Sequence, residues 1–267
     1  MRAARLIFLI TLVGLPIVTG QTAAPAAGRH PVILLTGDSV PMHLLDTFRE
    51  EAATRGWRVV SAARGSCPVT GDELMDPRGH VIKVAAHCEE APAEQDALIR
   101  LRDPAVVIWW DRWSLSDFRA GRRHVVSGTR RFWQIRARRL ASAVDRLSAS
   151  GARVAFVATE PTGTGVRRAC TPERCNEWKR FLLDHFWDVT ARWNHHLRGF
   201  ALAHQRRTAY FNLNDFVCHV VASPCNDRIA GVPARGDGTH YGVDGSIRVV
   251  DEILRRLTPF MPAAPSG

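Results

Sequence analysis

Two short segments near opposite ends of the chain contain side chains that could form a nucleophile and its base. An apolar run ends in Gly37-Asp38-Ser39, and Asp237-Gly238-Thr239-His240 lies near the C-terminus. A serine at the end of a strand can act as a nucleophile when a histidine accepts its proton. A carboxylate on the same turn as that histidine can hold the imidazole in the useful tautomer. The sequence therefore predicts that Ser39, His240 and Asp237 work together in acyl transfer.

Each of these residues also has a structural interpretation. Ser39 could simply cap a helix, because serine is a favoured N-cap residue. Asp237 could cap a turn or the last helix, and His240 could be a surface histidine. Asp244 is a rival carboxylate, but its position fits the start of the last helix better. Asp38 is expected to bond nearby loop amides.

Apolar runs alternate with longer amphipathic stretches, which predicts an α/β domain with a parallel sheet. Strands are expected at Pro31–Thr36, Arg58–Ala62, Ala105–Trp110, Arg153–Ala158 and Ala209–Leu213. Helices are expected at Met42–Arg55, Ala91–Leu101, Arg131–Ser150, Asn176–His204 and Val243–Leu257. This count predicts a flavodoxin-like three-layer α/β/α sandwich with a five-stranded parallel sheet. Such sheets bind ligands at the carboxyl ends of their strands, where Ser39, Gly65, Asp111 and Thr159 should emerge.

The N-terminus has the pattern of an export signal. Met1–Arg5 contains two arginines, Leu6–Gly20 is nearly all apolar, and Gln21–Gly28 is rich in Ala and Pro. The apolar run is shorter than the ~20 residues that a membrane helix needs. We expect a signal peptide or N-terminal anchor at residues 1–28, one domain at 29–260 and a tail at 261–267.

Six cysteines in an exported chain indicate disulfides. Six cysteines allow 15 pairings, and proximity along the chain favours Cys67–Cys88, Cys170–Cys175 and Cys218–Cys225. A metal site is the competing interpretation, but the sequence contains no Cys-x-x-Cys, so no metal is expected.

The net charge of +10 has two interpretations. An arginine-rich solvated face is one, and attraction to an anionic wall polymer or headgroup is the other. Nucleic acid is not an expected partner, because no aromatic-interleaved RNA motif occurs.

At its two terminal motifs the chain resembles the SGNH, or GDSL, hydrolase superfamily. That family has its serine in a Gly-Asp-Ser block and its Asp and His in an Asp-x-x-His block. Arg64-Gly65-Ser66-Cys67-Pro68 resembles the block whose glycine N–H contributes to the oxyanion hole, together with the N–H of Ser39. This block, the Trp-rich third block and Arg192-Trp193-Asn194 look most like extracytoplasmic SGNH domains associated with membrane glycan O-acyltransferases.

One block departs from the pattern. Many members have Gly-x-Asn-Asp after the third strand, and the Asn side chain is an oxyanion donor. Here that strand ends in Trp109-Trp110-Asp111-Arg112-Trp113, and an ionised Asp111 cannot donate. Arg112 could donate instead, or the hole could rest on the backbone N–H groups of Ser39 and Gly65. Trp113 and Asp111 are candidates for substrate contact, Trp113 by stacking on a sugar ring.

The resemblance implies an exported O-acyl esterase or O-acyltransferase that acts on cell-surface or cell-wall glycan without a cofactor. Its partners would be an acylated or acceptor glycan and a membrane acyltransferase supplied as a separate chain. The location would be secreted, periplasmic or cell-wall associated, and a monomer is expected. The alternative is a non-catalytic carbohydrate-binding or assembly protein that retains the fold.

Overall fold

A computed structural model describes residues 30–171, 173–175, 179–180, 183, 186–218 and 225–263. The predicted leader at residues 1–28, the end of the tail and part of the predicted helix Asn176–His204 lie outside the described residues. The strands are β1 Val32–Gly37, β2 Arg58–Ser61, β3 Val106–Trp110, β4 Phe118–Ala120, β5 Arg123–Val125, β6 Arg153–Val157, β7 Thr208–Phe211, β8 Arg228–Ile229 and β9 Val232–Pro233. The helices are α1 Ser39–His43, α2 Leu45–Ala53, α3 Ala91–Arg102, α4 Arg130–Leu147, α5 Thr164–Ala169, α6 Phe186–Ala203, α7 Asn214–Val217 and α8 Val243–Leu257.

Five of the strands form one sheet in the order β2-β1-β3-β6-β7, and all of its pairs are parallel. Counting only these strands, the order is 2-1-3-4-5, the flavodoxin-like order. The predicted fold class is therefore confirmed, and the five predicted strands match the observed ones to within two residues at each end.

The central strands are apolar on both faces because helices cover both sides of the sheet. Leu34 and Trp109 belong to one core cluster, which α3, α4 and α6 cover. Ile33 and Trp110 belong to the other, which α2 and α8 cover. Alternate residues of a strand point to opposite faces of the sheet. A continuous apolar run therefore makes both faces apolar, and both must be covered by helices, which gives three layers.

The first predicted helix differs from the observed structure at its start. It begins at Ser39 and not at Met42, and Leu44 separates α1 from α2. The side chain of Asp38 explains the earlier start, since it caps the helix by accepting a hydrogen bond from the Val40 N–H at 2.9 Å.

Segments expected to be loops contain further structure. The connection after β3 folds back as the antiparallel hairpin β4–β5, and that after β7 contains the hairpin β8–β9. Across the described ranges, no helix has the length and apolar character required to cross a membrane.

Candidate active site

The backbone at the end of β1 places Ser39 at the carboxyl edge of the sheet. Gly37 has a φ of +138°, and a Cβ there would lie 1.8 Å from the carbonyl oxygen of Trp110. Only glycine permits this close approach of β1 and β3. Asp38 then bridges the two strand ends, because its second oxygen accepts a hydrogen bond from the Arg112 N–H at 2.6 Å. Ser39 is partly exposed at the first position of α1.

The structure brings Ser39 and His240 together across 201 residues of chain. The Oγ of Ser39 lies 2.8 Å from Nε2 of His240, and Nδ1 of His240 lies 2.7 Å from an oxygen of Asp237. The other oxygen of Asp237 accepts from the backbone N–H groups of Thr239 and His240 at 2.8 and 2.7 Å. A proton on Nδ1 directed at Asp237 leaves Nε2 able to accept the serine proton.

The carboxylate of Asp237 is held in its ionised form. Burial would raise its pKa, but the hydrogen bonds from the His240 side chain, the His240 N–H and the Thr239 N–H outweigh burial and lower it well below the ordinary range. Asp237 can therefore stabilise an imidazolium at every pH used in an ordinary assay.

Glycines allow the loop that contains Asp237 to pack against the connection after β6. The Gly163 N–H donates to the Gly238 carbonyl at 2.9 Å, and a Cβ on Gly165 would lie 2.3 Å from the backbone carbonyl carbon of Asp237. A Cβ on Gly163 would overlap the carboxylate of Asp227. The Gly163-Thr164-Gly165 segment thus acts as a close-fitting support for the turn that contains Asp237 and His240.

The connection after β2 brings Gly65 close to the end of β1. The Arg64 N–H donates to the Gly37 carbonyl at 2.9 Å, and the Arg64 guanidinium contacts Glu90 and Glu94 at 2.9 Å each. This places Gly65 beside the end of β1. Within the described part of the chain, neither the Gly65 N–H nor the Ser39 N–H has a protein acceptor, so both are available to bind an oxyanion.

Asp111 is fully engaged within the protein. One of its oxygens accepts from Trp109 Nε1 at 2.8 Å and from the Val69 N–H at 3.1 Å. The other accepts from the Ser114 N–H at 2.7 Å, and the side chain is 2 % exposed. This geometry gives Asp111 a structural role and corrects the substrate contact expected from its position.

Arg112 and Trp113 lie on different sides of the same strand end. The Arg112 guanidinium is buried, and its Nη2 lies 3.9 Å from a Glu160 oxygen. The Arg112 backbone N–H is already bound to Asp38 and is not a spare oxyanion donor. Trp113 opens a single 3₁₀ turn, and its partly buried ring packs against the core side that α4 and α6 cover. Their roles in binding remain predictions.

The buried carboxylate of Glu160, which the sequence pattern did not indicate, bonds to the residue that follows His240. Glu160 accepts hydrogen bonds from the Tyr241 hydroxyl at 2.7 Å and from Trp110 Nε1 at 3.3 Å. Burial and the negative charge of Glu160 raise the pKa of Tyr241. Nearby, the buried Arg235 contacts Asp227 at 2.9 Å. These partners are separated by up to 81 residues along the chain, and their only local signal was the position of Glu160 three residues after the end of β6.

Two residues of the Arg192-Trp193-Asn194 motif are buried against the sheet. Asn194 bonds both backbone polar groups of Thr159 at 2.9 Å, at the carboxyl end of β6. Trp193 is buried, and the Arg192 guanidinium lies 4.8 Å from the ring centre of Trp133. The motif therefore fastens α6 to the sheet beside the site.

Three disulfides cross-link the connections around this edge of the sheet. They join Cys67 to Cys88, Cys170 to Cys175 and Cys218 to Cys225, the pairs that proximity in the sequence favoured. In the described ranges, no group of three or more His, Cys, Asp or Glu side chains is placed to hold a metal ion.

Solved structures with similar folds cover most of the chain at low identity. A candidate acylhydrolase from Bacteroides fragilis is 13 % identical with a TM-score of 0.56, over 86 % of this chain and 90 % of that one. The periplasmic domain of a lipopolysaccharide acetyltransferase from Salmonella ser. Paratyphi A is 13 % identical with a TM-score of 0.54, over 86 % and 85 %. A GDSL-like lipase from Bacteroides thetaiotaomicron is 13 % identical with a TM-score of 0.51, over 85 % and 86 %. Similarity at this level supports the fold alone.

A search of curated protein sequences finds no match. Residues 16–255 match the family model described as "SGNH domain (fused to AT3 domains)". This range includes the Gly-Asp-Ser block, the Gly65 block and the Asp-x-x-His block. The chain therefore belongs to the family of SGNH domains that occur fused to AT3 domains.

Proposed function

We propose that the protein is a serine-dependent acyl-transfer enzyme that forms an acyl ester on Ser39. The observation that carries this proposal is the chain of hydrogen bonds from Ser39 Oγ to His240 Nε2, and from His240 Nδ1 to Asp237. A serine hydroxyl is a weak nucleophile at neutral pH, and an oriented imidazole is the group that activates it.

In the first half-reaction, Ser39 Oγ attacks the carbonyl carbon of an ester while His240 Nε2 accepts the hydroxyl proton. The backbone N–H groups of Ser39 and Gly65 bind the oxyanion that forms, and such a donor contributes roughly 3–4 kcal/mol where it has been measured. The tetrahedral intermediate collapses when His240 Nε2 returns the proton to the departing alcohol oxygen. The acyl group is then bound to Ser39 as an ester.

In the second half-reaction, an acceptor hydroxyl gives its proton to His240 Nε2 and attacks the acyl carbon. The bond between that carbon and Ser39 Oγ then breaks, and His240 Nε2 returns the proton to Ser39 Oγ, which restores the free enzyme. Water as acceptor makes the protein an esterase, and a glycan hydroxyl makes it an O-acyltransferase. The same three side chains serve both reactions, because they differ only in the entering alcohol. Membership in the AT3-fused family favours transfer to, or removal from, a cell-surface glycan.

The proposed compartment is extracytoplasmic, as a secreted, periplasmic or cell-wall-associated protein. Three disulfides support this, since such bonds persist mainly in oxidising compartments. The export-type pattern of residues 1–28, as cleaved signal or retained anchor, agrees with it. A membrane acyltransferase on a separate chain would supply acyl groups in the transferase case.

Labelling with a serine-reactive fluorophosphonate probe tests the nucleophile. We expect one label per molecule on the protein and none on Ser39→Ala, with chromogenic acetyl ester turnover lost in parallel. Ser142→Ala is the matched control, because Ser142 is exposed on α4. Equal labelling of Ser39→Ala would exclude Ser39 as the nucleophile.

The same experiment separates the proposal from the non-catalytic alternative. A folded protein that neither labels nor turns over the ester would favour a carbohydrate-binding or assembly protein that retains the fold. To separate the two acyl acceptors, acetyl release to water is compared with and without a soluble glycan acceptor. Acylated glycan formed at the expense of free acetate identifies the transferase.

A further inference from the structure

The short helix α1 places two more side chains beside Ser39. Met42 and His43 follow Ser39 by three and four residues, and residues at these spacings share a helix face. Both side chains are exposed, whereas Val40 and Pro41 between them and Ser39 are buried. The face of α1 that presents Ser39 therefore also presents Met42 and His43.

These two side chains lie on different sides of the nucleophile. The ring of His43 lies 4.6 Å from the ring of His240. The terminal methyl and sulfur of Met42 lie 3.5 and 3.9 Å from the position that a Cβ on Gly65 would occupy. His43 thus borders the general base, and Met42 borders the backbone of the expected oxyanion donor.

In the tetrahedral intermediate of the proposed reaction, the substituents of the acyl carbon lie on different sides of Ser39. The departing or entering alcohol oxygen must face His240 Nε2, because that nitrogen gives and takes its proton. The oxyanion must face the N–H groups of Ser39 and Gly65. The acyl group takes the remaining position, next to the oxyanion and away from His240.

We propose that Met42 forms the wall of the acyl pocket and restricts Ser39 to short acyl groups. This inference rests on the proposed acyl transfer. Gly65 has no side chain, and the Met42 methyl lies 3.5 Å from the position that a Cβ there would occupy, so it borders the open space over the Gly65 backbone. An acetyl methyl fits against that wall, whereas a longer chain must displace it. The flexible thioether makes this exclusion graded and not absolute.

The exposure of Met42 separates this role from core packing. Its side chain is 38 % exposed, so shortening it leaves the two core clusters unchanged. If Met42 served only in packing, its truncation would lower the stability of the protein and would lower the rates for all substrates by the same factor. A wall of the acyl pocket changes the ratio of rates for long and short acyl groups, which a loss of stability alone does not change.

The test measures kcat/KM for the p-nitrophenyl esters of acetate, butyrate and hexanoate. We expect Met42→Ala to raise the butyrate-to-acetate ratio about tenfold or more, since a single methylene in a hydrophobic pocket changes rates by roughly 10–200-fold. Met42→Leu keeps the ratio close to that of the unmodified protein. Leu101→Ala, at a 69 % exposed apolar residue on α3, is the matched control and leaves the ratio unchanged.

A second readout does not require turnover. The rate of Ser39 modification by phenylmethanesulfonyl fluoride relative to methanesulfonyl fluoride should rise in Met42→Ala and stay constant in Leu101→Ala. If Ser39 reacts in all variants but neither ratio changes in Met42→Ala, the pocket assignment is overturned and the proposed function stands. If Ser39 in the unmodified protein neither reacts nor turns over ester, both are overturned together.

Discussion

Among the individual residues near His240, two carboxylates could orient its ring, and their geometry distinguishes them. Asp237 contacts Nδ1 of His240 and also binds two backbone N–H groups of the same turn. Asp244 is exposed in the first turn of α8. A carboxylate there interacts favourably with the unpaired backbone N–H groups at the start of the helix. The two residues are therefore suited to different roles, although both are aspartates within four residues of His240.

We predict that Asp237→Asn lowers turnover of an acetyl ester on the order of 10³–10⁴-fold, because an amide no longer fixes the tautomer of His240. Its melting temperature at neutral pH should fall only modestly, since Asp237 is half exposed and solvent screens its interactions. The pKa of Asp237 is lowered on folding, so its contribution to stability is present above the ordinary pKa and is lost only in strong acid.

The matched control is Asp244→Asn, which should retain turnover and lose about 0.3–1 kcal/mol of stability through the helix dipole. Full activity of a folded Asp237→Asn variant would refute the assignment of its role.

A second residue-scale prediction concerns Asp38. Burial and the charge of Asp111 raise its pKa to about 6, although the N–H groups of Arg112 and Val40 act in the opposite direction. An acid whose pKa is raised on folding stabilises the protein below its unfolded pKa, and this stabilisation disappears as the pH rises through the folded pKa. Between pH 7.5 and pH 5, the protein should gain on the order of 1 kcal/mol relative to Asp38→Asn.

The measurement is urea unfolding of both proteins at several pH values. The variant also loses one acceptor, because an amide has a single oxygen, so only the pH dependence of the difference is informative. Parallel pH profiles would contradict the raised pKa of Asp38.

At the scale of elements, the site depends on connections that meet in narrow contacts. β1 and β3 approach closely at Gly37, and the Gly163-Thr164-Gly165 segment lies directly against the turn that contains Asp237. Long connections of the parallel sheet therefore form the support of the site, while the strands determine where these connections begin.

We predict that Gly165→Ala displaces the Asp237 turn, because the added methyl would overlap backbone atoms of Gly236, Asp237 and Gly238. Overlap with backbone cannot be relieved by a rotamer change and costs about 1–3 kcal/mol or more. Turnover should fall at least about tenfold, since the distance from His240 to Ser39 must change.

Gly199→Ala is the control for this substitution. A Cβ there meets nothing within 4 Å, and Gly199 lies within α6, so the variant should gain about 0.5–1 kcal/mol of stability. Melting temperature and ester turnover are measured on both variants. A Gly165→Ala variant with unchanged turnover would show that the segment does not position Asp237.

At the scale of the whole molecule, one hydrophobic core lies on each side of the sheet, and disulfides cross-link the connections at the carboxyl edge of that sheet. The disulfide between Cys67 and Cys88 begins two residues after Gly65 and has a sequence separation of 21. The pair Cys170–Cys175 has a separation of only 5. A disulfide that closes a larger loop removes more entropy from the unfolded chain. We therefore expect the Cys67–Cys88 link to contribute more to the free energy of unfolding than the Cys170–Cys175 link.

We predict that replacing Cys67 and Cys88 by Ala costs about 3 kcal/mol of unfolding free energy, and that replacing Cys170 and Cys175 costs about 2 kcal/mol, from loop entropy. The first replacement should also lower ester turnover, because it releases the segment next to Gly65. Urea unfolding and turnover are measured for both double variants. Equal turnover in the two would show that the Cys67–Cys88 link does not position Gly65.

Several properties were determined by the sequence alone. Five apolar runs separated by amphipathic stretches specified a parallel sheet between helices, because burial on both faces requires continuous apolar strands. The Gly-Asp-Ser and Asp-x-x-His blocks indicated the residues that meet at the edge. Proximity along the chain also favoured the three disulfide pairs that the structure contains. All of these are local patterns that a single segment displays.

Other properties depended on the tertiary structure. Asp111 faces Trp109 and Val69 and not a substrate, and Glu160 meets Tyr241 and Trp110 behind His240. The approach of the Met42 methyl to Gly65 likewise brings helix α1 against the connection after β2. Such pairings join residues that are distant along the chain, and they cannot be predicted from hydrophobic periodicity or from secondary-structure propensity. They are decided only when the folded sheet brings its strand ends to one edge, where buried polar groups must find partners.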